Sequence, residues 1–76
     1  MFLRRLGPNR RECQGGYACP GILELHGGDF AVIGSDITNE ALGVLPPGSG
    51  CGPNERIVRI PRQTLVQARS DIPASI

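Results

Sequence analysis

Glycine and proline constrain this chain more than any other feature: eleven Gly and seven Pro are spread through 76 residues. Proline fixes φ and removes a backbone donor, and glycine weakens helices and strands alike, so few regular elements fit between them. Helical bundles, doubly wound sheets and large enzyme cores are thereby disfavoured. The hydrophobic content is 39%, with two Phe, one Tyr and no Trp. A domain of about 60 residues buries only about 60% of the surface its unfolded chain exposes, so one small domain with a thin core is expected. No apolar run approaches the roughly 18 residues of a membrane span.

Order begins at two aliphatic runs, Gly21–His26 and Asp29–Gly34, separated by Gly27-Gly28. This pattern predicts a β-hairpin with a tight two-residue turn, because glycine accepts the positive φ such turns demand. In that register Leu25 opposes Phe30 and Leu23 opposes Val32 on a wholly apolar face. Ile22 opposes Ile33 and Glu24 opposes Ala31 on the other, half-apolar face. The first face is expected to pack on the core.

Residues 1–20, with Gly7-Pro8-Asn9 and Gly15-Gly16, read as an irregular arm. Residues 38–42 predict a short helix capped by Thr38 or Asp36 and stopped by Gly43 and Pro46-Pro47. Residues 46–54 read as a loop. Glu55–Ile60 predicts a third strand, and Pro61–Ser70 a helix whose first position suits proline. Leu65, Ala68 and Ile72, with Val66, predict its buried stripe. The expected fold is α+β: a small, mostly antiparallel sheet of the hairpin plus a third strand, with the C-terminal helix across one face. One domain over 21–72 follows the arm, and 73–76 form a tail.

The net charge of +1 hides an uneven distribution. Arg4, Arg5, Arg10 and Arg11 stand without an acid in residues 1–11. Residues 12–55 hold six acids and no Lys or Arg, and residues 56–76 hold four Arg against Asp71. Basic ends around an acidic middle attract within the fold, or dock a second copy or a partner of opposite pattern. Met1-Phe2-Leu3-Arg4-Arg5 lacks the apolar run of about 7–15 residues of a secretory signal, so a cytoplasmic setting is expected.

Cys13, Cys19 and Cys51 are odd in number, which excludes a complete internal disulfide framework. In a reducing cytosol they are expected as thiols. With His26 they supply four ligands for a tetrahedral zinc site, one alternative for this chain. Against it, Cys13 and Cys19 are spaced more widely than in zinc knuckles, and Cys51 stands alone in a Gly/Pro loop. No Cys-x-x-Cys pair, catalytic triad or phosphate-binding glycine loop is assembled, so no catalytic residue and no cofactor is expected. A second alternative is an accessory nucleic-acid-binding role through Arg4, Arg5, Arg10 and Arg11. The acidic middle and scarce aromatics oppose autonomous binding.

Cys19-Pro20, Leu23-Glu24-Leu25, Gly28 through Gly34, Gly52-Pro53, Glu55 through Arg62 and Leu65 form a longer pattern. Over residues 19–69 the chain resembles a group of short uncharacterised actinobacterial proteins. They share a Gly-Asp-Phe-x-Val-x-Gly strand and a Glu-x-x-Val-x-Ile-Pro step from strand to helix. The resemblance implies a companion of helix-turn-helix regulators in developmental or antibiotic-control loci, with no catalytic residues.

These readings converge on a non-enzymatic regulatory or protein-interaction module, acting as a homodimer or with a regulator partner. Ile22, Ala31 and Ile33, on the hairpin face left without a helix, and Arg56 and Arg59 are the expected partner-binding residues. Nucleic acid is expected only indirectly, and no membrane or small-molecule partner is expected.

Overall fold

Two aliphatic strands, β2 (Gly21–Leu25) and β3 (Phe30–Ile33), form the expected antiparallel hairpin. A computed structural model describes residues 1–7 and 19–74, and it closes this hairpin over His26, Gly27 and Gly28. The Gly28 N–H donates to the Leu25 carbonyl at 3.0 Å, and the Leu25 N–H donates to the Asp29 carbonyl at 2.9 Å. Gly28 has φ 98°, whereas Gly27 lies outside the left-handed region. A β-turn followed by one left-handed residue is a common build of a three-residue hairpin loop. The expected two-residue turn is thus corrected: only one glycine takes positive φ, and His26 enters the loop.

The longer loop slides the register by one residue. Gly21 opposes Ile33, Ile22 opposes Val32, Leu23 opposes Ala31 and Glu24 opposes Phe30. Directly opposed residues share a face, so a one-residue slip re-sorts every side chain. Ile22, Glu24, Phe30 and Val32 lie on one side; Leu23, Leu25, Ala31 and Ile33 lie on the other. Ile22 is therefore separated from Ala31 and Ile33, contrary to the expected grouping.

The sheet's third strand comes from the segment read as an irregular arm. β1 (Phe2–Arg5) pairs antiparallel with β2, giving the order β1-β2-β3. The pairing extends past both strand ends, with the Leu6 N–H on the Ile22 carbonyl at 2.9 Å and the His26 N–H on the Met1 carbonyl at 3.1 Å. A strand edge presents unpaired N–H and C=O groups, and β1 satisfies those of β2. An irregularity between Phe2 and Arg4 interrupts the ladder. The expected third strand, Glu55–Ile60, shrinks to β5 (Val58–Arg59), which pairs with β4 (Ser35–Asp36) in a separate two-stranded sheet.

Gly34 joins β3 to β4 under close pressure. A Cβ there would lie 2.5 Å from the Arg59 carbonyl oxygen and 2.8 Å from Ile60 Cγ2. Only glycine lets the chain entering the second helix pass this near. α1 (Thr38–Ala41) and a 3-10 turn over Leu42–Val44 follow β4, close to the expected short helix.

α2 (Arg62–Ala68) starts after Pro61 and continues as a 3-10 turn over Arg69–Asp71. It contacts β2. Ala68, Leu6 and Ile22 form the buried cluster, at 1%, 4% and 6% exposure, with Ile60 packed against it. A fully buried aliphatic side chain is worth about 1.5–3 kcal/mol, so this core is thin. The expected stripe is corrected. Thr64 and Ala68, four residues apart, are buried, whereas Leu65, Val66 and Ile72 are exposed. Close backbone approach selects the small residues: a Cβ on Gly7, at φ 84°, would already lie 3.3 Å from the Gln67 carbonyl oxygen.

Three substitutions test this geometry by thermal or denaturant unfolding. Gly28→Ala should cost about 1 kcal/mol or more, since alanine resists positive φ, while Gly27→Ala should be nearly neutral. Equal effects would refute the three-residue loop. Gly34→Ala should cost about 1–3 kcal/mol, because the added methyl meets backbone that has no room to move aside.

Candidate functional site

Beyond the Gly21–Ile33 pair, the end of the main sheet opens into a cleft of about 520 Å³. Cys19 and Pro20 form one wall, Ile33 another, and Arg59, Ile60 and Pro61 the third. The walls are largely apolar, and Arg59 brings the charge. Each wall has a local cause. Gly34 lets the Arg59–Ile60 backbone close on the sheet. The Arg5 guanidinium donates to the Pro20 carbonyl at 2.7 Å. It also occupies the space of a Cβ on Gly21, 2.5 Å from Arg5 Nη1, so Gly21 admits the arginine over the strand. The lining residues include no His, Asp or Glu. The arrangement offers a largely apolar surface with Arg59 as its one charged residue, suited to holding an apolar group.

Next to the cleft, Asp36 organises the second sheet. Its Oδ1 accepts the Thr38 hydroxyl at 2.6 Å and the Thr38 N–H at 3.0 Å. Its Oδ2 accepts Arg56 Nη2 at 2.8 Å and Nε at 3.1 Å. Thr38 is buried, and its hydroxyl oxygen also accepts the Ile57 N–H at 2.8 Å. The Thr38 hydroxyl, then its N–H, then the Arg56 guanidinium stabilise the ionised carboxylate, lowering its pKa from 3.8 to about 2.

A second charged clamp ties the N-terminus to the C-terminal turn. Arg4 Nε bonds Glu24 at 3.0 Å, and Arg4 Nη2 donates to the Asp71 carbonyl at 3.0 Å. The Gly7 N–H donates to Asp71 Oδ2 at 2.7 Å. Both clamps join a basic end to the acidic middle, as Arg4 to Glu24 and Arg56 to Asp36. Part of the block pattern is therefore used inside the fold.

The residues singled out in the sequence separate accordingly. Ile22 is core and is removed from the expected partner surface. Ala31 and Ile33 share a face, and Ile33 is 47% exposed on the cleft. Arg56 is held by Asp36, whereas Arg59 lines the cleft. Arg4 and Arg5 are engaged within the fold, and Arg10 and Arg11 lie outside the described residues.

Of the zinc alternative's residues, Cys13 also lies outside the described residues. His26 is exposed in the hairpin loop, Cys51 is a free thiol donating to the Glu55 carbonyl at 3.3 Å, and Cys19 is disulfide-bonded. The expected thiol at Cys19 is thus corrected, and a bridged sulfur is no thiolate ligand. Among the described residues no three His, Cys, Asp or Glu side chains gather to hold a metal, and no helix is long and apolar enough to cross a membrane.

Sequence reasoning did not foresee Thr38 as a hub or Ile60 and Pro61 as cleft walls. Gly34, a glycine closing an aliphatic strand, is the one signal that points to a close approach there. Comparisons with protein-family models, with curated proteins and with solved structures found no match to this chain.

The depressed carboxylate gives a pH prediction. Protonating Asp36 is easier in the unfolded chain, so its contribution to stability is complete above pH 3.8 and falls away as pH drops toward about 2. Asp36→Asn should flatten the stability profile across that window. An Asp36 side-chain carbon that titrates by NMR at its ordinary value would refute the hub.

Proposed function

We propose that this chain is a small non-enzymatic interaction module that works in regulation, as a homodimer or with a regulator partner. The observation that carries the reading is the distribution of apolar surface. Among the described residues Leu6, Ile22 and Ala68 are the buried hydrophobic ones, while Phe30, Val32 and Ile33 on β3 and Leu65, Val66 and Ile72 at the C-terminal end are exposed. Contiguous exposed apolar residues rimmed by charge mark interaction surfaces. Single scattered ones do not, and here Phe30 and Val32 are neighbours on one face of β3 while Leu65 and Val66 are adjacent on α2.

The cleft supports the same reading. An apolar wall with one guanidinium can accept a side chain or strand of a partner. The regulatory setting is what the resemblance of residues 19–69 to short uncharacterised actinobacterial proteins implies. Nucleic-acid contact enters through the partner, because Arg4 and Arg5 are already bound within the fold. The disulfide at Cys19 weighs against a reducing setting, since such bridges are rare in reducing compartments.

Sedimentation equilibrium gives the first test. At a chain concentration of ~100 μM the protein should show a concentration-dependent mass above the 8.1 kDa of one chain. A protein that stays monomeric and binds no regulator co-expressed with it would overturn the proposal.

A further inference from the structure

β3 is an edge strand, and among the described residues no strand pairs with its outer edge. In an antiparallel ladder, alternate residues turn their backbone groups toward opposite sides. The Leu25 N–H bonds Asp29 across the hairpin, while the Ile22 carbonyl serves Leu6 on the β1 side. In phase with Asp29, Ala31 and Ile33 face β2. Phe30 and Val32 then direct their N–H and C=O groups outward. β5 does not cover them: the Ile37 N–H bonds the Ile57 carbonyl at 2.9 Å, so β5 sits on the same inner side as β2.

The two edges of the sheet are built differently. β1 carries Arg4, Arg5 and a ladder irregularity, features that keep an edge from pairing further. β3 is Phe-Ala-Val-Ile, with no charge, no proline and no bulge against β2. Its Phe30, Val32 and Ile33 are exposed. This is an edge suited to accept another strand.

We infer that β3 pairs antiparallel with β3 of a second copy across a two-fold axis at Ala31, joining the two sheets into one six-stranded sheet. The inference rests on the interaction-module reading and assigns its surface. Two features select a second copy over an unrelated strand. The first is self-complementarity: Phe30 of each copy opposes Val32 of the other, so four exposed apolar side chains meet on one face. An isologous contact of this kind closes at two copies.

The second is charge. The same register sets Asp29 of one copy opposite Ile33 of the other, and Ile33 shares its cleft with Arg59. Asp29 and Arg59 are both exposed, and neither forms an ion pair among the described residues. Each hairpin tip thus brings a carboxylate beside the other copy's cleft, which the exposed Arg59 lines, and the two-fold axis makes the contact twice. Rim charges of this sort fix register more than they add affinity.

Sedimentation of wild type, Val32→Pro, Asp29→Arg, Arg59→Asp and the Asp29→Arg/Arg59→Asp double variant tests this, with far-UV circular dichroism of each confirming the fold. Val32→Pro removes an outward N–H that the single chain does not use, so it should keep the monomer's fold and lose the dimer. Each single charge reversal should weaken the dimer about tenfold, and the double reversal should restore it. A wild-type dimer unchanged by Val32→Pro and by both reversals would overturn β3 pairing, while leaving the interaction reading intact with its surface elsewhere. Loss of the dimer in Val32→Pro without rescue in the double variant would overturn the Asp29–Arg59 contact and retain the strand pairing. A monomeric wild type at ~100 μM would overturn the self-association, and the wider reading falls too if no regulator partner binds.

Discussion

The left-handed backbone of Gly28 governs this structure, because it closes the β2–β3 hairpin over three residues instead of two. That one residue decides which side chains share a face. It turns Ile22 toward Leu6 and Ala68, where it becomes the centre of the buried cluster. It also sends Ala31 and Ile33 to the opposite side, and leaves Phe30 and Val32 with outward-facing backbone on the free edge. A two-residue turn in the same sequence would exchange these assignments. The core, the cleft and the open edge all follow from this register.

With so few buried hydrophobic groups, the fold relies on polar ties between distant segments. Arg4 and Gly7 hold the N-terminal strand to Glu24 and Asp71. Asp36, Thr38 and Arg56 hold the second sheet together. Exposed ion pairs contribute little one by one, typically below about 1 kcal/mol. Their value here lies in geometry: each combines a charged contact with a hydrogen bond to backbone, so it fixes where a strand begins or a turn ends. The glycines do complementary work, Gly34 and Gly21 admitting backbone and guanidinium at distances that a side chain would forbid.

The consequence for function is that apolar surface remains outside. α2 packs Ala68 into the cluster with Ile22 and Leu6 and buries Thr64, while Leu65 and Val66 stay in solvent. β3 keeps an uncharged edge beside a cleft that the exposed Arg59 lines. A chain this small, joined by polar clamps, leaves apolar residues of a strand and a helix exposed.

The local elements were legible in the sequence by themselves. Aliphatic runs flanking Gly27-Gly28 specified a hairpin, Thr38-Asn39-Glu40-Ala41 a short helix, and Pro61 the start of α2, because turns, caps and proline positions act through neighbouring residues. The mixed α+β class followed from their order. Tertiary structure decided the rest. Phe2–Arg5 became a strand because β2 offered unpaired backbone groups, a cause some twenty residues away along the chain. The face of α2 was chosen by how closely Gly7 and Ile60 crowd it, which favours Thr64 and Ala68 over the larger Leu65 that periodicity selects. The cleft exists only where Cys19-Pro20, Ile33 and Arg59–Pro61 converge, and no spacing in the sequence records that meeting. Short-range chemistry fixes what each segment forms; which segments touch depends on competition for the same small buried volume and the same backbone partners, and that is settled only when the whole chain is packed.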